Sequence, residues 1–202
     1  MVAAGGPEFP GARRPRLVTV PQVPATFRRA VRSLERARPR PEVELERLRA
    51  PQRLAPWTHA VGARVMADGE EIATARLVLL HDPDSQEVWN GTLRLVAYVR
   101  AELEVELAGD PLLAAVGWSW LTEALHATGA RSTALGGTVT QTSSARFGDI
   151  AGPQRTDDVE LRASWTPLDE NLRPHADAFC ELIATAAGLP PVGVAALGQR
   201  RA

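Results

Sequence analysis

Over residues 93–107 every odd position is apolar: Leu93, Leu95, Ala97, Val99, Ala101, Leu103, Val105 and Leu107. The even positions include Arg94, Tyr98, Arg100, Glu102, Glu104 and Glu106. A two-residue period of this kind predicts a strand with one buried face. A strand through the whole stretch would be unusually long, so it is expected to end or bend near residues 102–106. Two dipeptides suited to positive φ, Asp68-Gly69 and Asn90-Gly91, predict hairpin turns before it. They bound strands at 58–66 and 71–81. Within the second, Leu77-Val78-Leu79-Leu80 shows no polar alternation, which predicts cover on both faces. A shorter alternation over Glu42-Val43-Glu44-Leu45-Glu46 reads as a half-exposed strand.

The helical period replaces this pattern in three places. From Pro24, the residues Phe27, Ala30, Val31 and Leu34 fall on one face and Arg28, Arg29, Arg32 and Arg36 on the other, and Pro39 and Pro41 stop the helix. Asp110-Pro111 opens a second helix that runs to about Thr128, where Gly129 ends it. Counting 100° per residue puts Leu113, Val116, Trp120 and Ala124 on its core arc, with Trp118 on the flank beside Leu125. Two further strands follow at 133–147 and 159–166, then a last helix over 174–188 with Pro190 and Pro191 beyond it. The fold class expected is α+β: one antiparallel sheet of five to six strands packed by three helices, in the order α-β(3–4)-α-β-β-α. The domain spans 24–191, after a Gly- and Pro-rich leader at 1–23 and before a flexible tail at 192–202.

Composition narrows the functions. A chain of 202 residues, 45% apolar, suits one core. All 23 basic residues are arginine and the formal net charge is −1, so no global field favours nucleic acid or membrane. The charge is uneven. Residues 1–54 hold 12 Arg and 5 acidic residues, net +7, and residues 55–202 hold 11 Arg and 19 acidic residues, net −8. The basic segment meets either an anionic partner or the chain's own acidic remainder. The single cysteine, Cys180, rules out an intrachain disulfide framework and multi-Cys zinc sites. No apolar run approaches the ~20 residues a membrane helix needs. The arginines at 13, 14 and 16 precede no apolar signal core, and a cytoplasmic protein is expected.

Several strings carry a resemblance. Arg40-Pro41-Glu42-Val43-Glu44, Arg53-Leu54-Ala55-Pro56, Arg76-Leu77-Val78-Leu79-Leu80-His81-Asp82-Pro83, Trp118-Ser119-Trp120-Leu121, Gly137-Thr138-Val139-Thr140, Arg162-Ala163-Ser164-Trp165-Thr166-Pro167 and Ala187-Gly188-Leu189-Pro190-Pro191 stand in this chain. Through them it resembles an actinobacterial family catalogued as domain of unknown function 3000, over roughly residues 24–191. The resemblance implies no activity, and no catalytic residue comes with it. The element order also resembles that of type III secretion chaperones, a likeness of topology alone.

The candidate chemistry is sparse. The histidines have neither HExxH nor i, i+4 spacing, and no metal or cofactor is expected. His81 and Asp82 end a buried strand and could do acid–base work, although Asp82-Pro83-Asp84-Ser85 is itself a turn string. With Arg100, Glu102, Thr140 and Arg146 they are the candidates for a polar pocket. Thr138, Thr140, Thr142 and Ser144 share one face of a strand with no apolar side, which predicts an edge position. Cys180 reads as a small buried hydrophobe. Trp118 is a candidate partner anchor, and Arg28, Arg29, Arg32 and Arg36 a candidate anionic-partner surface. The leading expectation is a non-catalytic module that binds another protein or itself as a homodimer, chaperone-like. The alternatives are a nucleic-acid-binding accessory protein working through the Arg-rich first helix and a small-molecule enzyme.

Overall fold

The computed structural model describes residues 22–67, 69–104, 107–150, 152 and 155–192. The leader and tail fall outside the described residues except at 22, 23 and 192, as do Asp68, Val105 and Glu106. Among the described residues the chain forms α1 (Ala25–Leu34), β1 (Val43–Leu48), β2 (Trp57–Ala67), β3 (Glu70–Gln86), β4 (Gly91–Glu102), α2 (Leu113–Ala127), β5 (Ser132–Ala145), β6 (Arg155–Pro167) and α3 (Arg173–Ala186). The strands form one antiparallel sheet in the order β1-β2-β3-β4-β6-β5. The expected α+β class and element order hold.

Alternation decides which face of the sheet the helices cover. Leu93, Leu95, Ala97, Val99 and Ala101 of β4 are all buried, in one cluster with Leu77 and Leu79 of β3 and Val159, Leu161, Ala163 and Trp165 of β6. Helices α1, α2 and α3 supply the other half of that cluster, and α3 lies across β1 to β4. The β4 strand stops at Glu102, where the apolar period meets the acidic run. The unbroken Leu77–Leu80 run is covered on both sides. Val78 and Leu80 turn to the other face and meet Ala60 and Trp89, flanked by Ala50 and Ala55 from the connection that folds over this corner.

Two local features differ from expectation. The turn string at 82–85 does not end β3. It bulges out, with Ser85 at φ 58°, before the strand resumes pairing at Gln86. Pairing with β4 on both sides holds the excursion inside the strand. The core stripe of α2 is Leu113, Gly117, Leu121, Ala124 and Leu125, while Val116 is 44% exposed and Trp120 only partly buried. The expected Leu113-Val116-Trp120-Ala124 arc is thus rotated. Gly117 lets α2 approach β5 closely, since a Cβ there would lie 3.1 Å from Val139 Cγ1. A wheel that scores apolar side chains gives no weight to a glycine that serves as the contact.

The helices are also tied to one another. Ser33 Oγ of α1 accepts the N–H of Leu172 at 2.8 Å, just before α3. Arg29 of α1 pairs with Glu170 at 2.6 Å.

Candidate functional site

The residues proposed for a polar pocket are brought together only in part: Arg100 and Glu102 line one shallow polar cleft with Glu71 and Asp158, and His81 and Asp82 lie outside it. His81 points to the helix-covered face, stacks on Phe27 with ring centroids 6.0 Å apart, and its Nδ1 lies 2.9 Å from the Thr92 carbonyl. Asp82 turns the other way and is spent on the bulge: Oδ1 accepts the Asp84 N–H at 3.1 Å and Oδ2 accepts Gln86 Nε2 at 3.3 Å. Adjacent positions in a strand face opposite sides, so the two cannot act as a dyad. Arg100 and Glu102 are on the face without helices. Arg100 is bound there to buried Asp158 at 2.7 Å, and Glu102 is exposed. Thr140 is in the same cross-strand row as Arg100, with Glu160 between them. Arg146 follows β5 and lies beside Gly152.

That uncovered face is organised in cross-strand rows. One row runs Glu46, Gly62, Arg76, Tyr98, Arg162, Thr138 from edge to edge, and the next runs Glu44, Arg64, Thr74, Arg100, Glu160, Thr140. Tyr98 Oη donates to Glu160 Oε1 at 3.0 Å, and the Arg162 guanidinium lies 5.4 Å from the Tyr98 ring centre. Burial and that bond to a carboxylate raise the Tyr98 pKa. Arg64 pairs with Glu44 and Arg162 with Glu160. Both rows mix the two signs, so the face is not the one-signed basic surface that phosphate binding favours.

The two edges of the sheet differ. Edge strand β1 is six residues long and carries Glu44, Glu46 and Arg47. Edge strand β5 is fourteen residues long, STALGGTVTQTSSA, with no charge and no proline. From Thr140 to Ala145 it is exposed at every residue, on both faces. Its one irregularity is a bulge near Ala134, at φ 49°. There Arg94 holds the chain, donating to the Ala134 carbonyl at 2.9 Å, to Thr166 Oγ1 at 3.1 Å and to Ser164 Oγ at 2.7 Å. Past the strand, Phe147 and Ile150 are 78% and 66% exposed.

The other sequence candidates are largely used within the chain. Trp118 is part-buried over Gly137 of β5 and packs against the main core. Arg28 donates to the Val23 carbonyl and Arg29 is committed to Glu170. Arg32 and Arg36 have no ion pair among the described residues. Cys180 is buried, and burial pushes its thiol up to about 12. His175 is buried against Trp165, whose Nε1–H donates to His175 Nδ1 at 3.1 Å, and burial pushes its pKa down to about 4.

One residue escaped sequence reasoning. His59 is 5% exposed on the helix side of β2, and its Nε2 has no hydrogen-bond partner among the described residues. Burial lowers its pKa, against an opposing pull from Glu35. The signal was present: His59 begins the inward series Val61, Ala63, Val65, where an imidazole is out of place.

Among the described residues no cluster of His, Cys, Asp and Glu could hold a metal ion, and no helix is long and apolar enough to cross a membrane. A family model described as a protein of unknown function, DUF3000, matches residues 23–195. No curated protein and no solved structure matches the chain.

Proposed function

The chain belongs to the DUF3000 family, whose description names no activity, and from that premise we propose a non-catalytic, cytoplasmic, chaperone-like module that binds an extended segment of another polypeptide along β5. The observation that carries the reading is the contrast between the edges. Exposed strand edges offer unpaired N–H and C=O groups, and proteins commonly blunt them with charge, proline or short length. Edge β1 is blunted in that way and β5 is not. Strand addition uses such an edge, with main-chain bonds giving affinity and neighbouring side chains giving selectivity. Phe147 and Ile150, just after β5 in the chain, are exposed apolar side chains that could add selectivity. His81 and Asp82, the candidate acid–base pair, are engaged in stacking and turn bonds, which supports a role without catalysis.

Thr140→Lys with Thr142→Lys is the test. Both positions are exposed, so stability is expected to stay within about 0.5 kcal/mol of wild type. A polypeptide recovered from native extract by wild type is expected to be lost on this double variant, and β5 amides to exchange more slowly in the wild-type complex. Equal recovery by both proteins, with unchanged β5 exchange, would overturn the reading. Recovery of only a second copy of the chain would replace the foreign segment with a dimer.

A further inference from the structure

Towards the other edge of the sheet, α1, α3 and strands β1 to β3 form a half-open cavity of about 170 Å³. Its walls include Leu34, Val61, Leu77 and Phe179, with Cys180 and His59 set among them. Glu35 and Arg47, both exposed, stand at its rim. The volume is close to that of apolar cavities that admit a single benzene ring. One polar feature inside it is unexplained by the fold. His59 Nε2 is shielded from solvent and lacks a partner, and the nearest carboxylate oxygen, Glu35 Oε1, is 3.7 Å away, beyond hydrogen-bond reach. Buried polar groups without partners are rare in native folds, and each calls for an explanation.

We propose that this cavity is a binding site for a small one-ring phenol, whose ring fills the apolar walls and whose hydroxyl is held between His59 Nε2 and the Glu35 carboxylate. A hydroxyl both accepts and donates, so it accepts from the imidazole N–H and donates to the carboxylate. A carboxylate ligand would meet the Glu35 charge. A hydrocarbon would leave Nε2 as it is. Cys180 offers no competing thiolate chemistry, because its buried thiol stays protonated. The site lies across the sheet from β5 and is independent of strand addition there.

The test is an NMR titration of the full chain with p-cresol and, separately, toluene. Saturable shifts are expected at Leu34, Phe179 and the His59 ring, with p-cresol binding about tenfold tighter than toluene, the factor one well-placed hydrogen bond supplies. His59→Phe is expected to reduce p-cresol to the affinity of toluene, and His59→Gln, which keeps a polar group, to fall between. Absence of saturable shifts with either compound at millimolar concentration overturns the proposal. Equal affinity for the two compounds in wild type overturns it as well, and that comparison needs no variant to fold.

Discussion

Gly137 lies where β5, β6 and Trp118 meet. A Cβ there would fall on the Arg162 carbonyl oxygen and stand 2.9 Å from Trp118 Cζ3, whereas one at Gly136 meets nothing within 4 Å. Gly137→Ala is therefore expected to lower stability by about 2 kcal/mol through overpacking. Gly136→Ala should stay within about 0.5 kcal/mol of wild type, and paired urea melts check both. His175 gives a second prediction at this scale. Its native pKa of about 4 is below the ~6.5 of an unfolded histidine. Between those values the unfolded chain binds the extra proton. Stability present above pH ~6.5 is then lost as the pH falls towards 4, by on the order of 3 kcal/mol. His59, lowered for the same reason, acts in the same direction. The urea midpoint should track this fall, and His175→Asn, whose carbonyl can still accept from Trp165, should flatten it.

Elements in this chain hold one another at their ends. Leu172 is fully buried and no side chain of its own caps α3, so its N–H depends on Ser33 of α1. Ser33→Ala leaves that donor unpaired and is expected to cost about 1–2 kcal/mol. Hydrogen exchange should show the first turn of α3 loosening before its last. At this scale the sequence was most legible where period and burial coincide. The alternation over 93–101 named the buried set of β4 residue by residue, and Asn90 does adopt the left-handed conformation, φ 54°. Legibility failed where a contact is made by absence of a side chain, as at Gly117, because apolar scoring has no way to count it. It failed also for the polar pocket, since His81 and Asp82 are neighbours in sequence but on opposite faces of a strand. The alternation of β2 marks His59 as inward-facing, but the groups around it come from α1, α3 and β1, which no local pattern brings together.

For the whole molecule, the arrangement of charge follows from which groups meet across the fold. The basic first helix finds part of its counter-charge at Glu170, so the segregation read along the chain is partly cancelled in space. Raising salt should therefore weaken the hold of α1 on the body only slightly, because an exposed pair contributes little. A thermal melt in 0.05 and 0.5 M NaCl should move by no more than a few degrees. The strand order carries a different consequence. β6 enters the sheet between β4 and β5, although β5 precedes it in the chain. During synthesis β5 must wait beside an incomplete ribbon until residues 155–167 emerge to receive it, and the layer above stays unsealed until α3 follows. The uncharged edge is thus bare on both sides in the nascent chain. A holdase that recognises extended polar segments would find this protein most vulnerable in that interval.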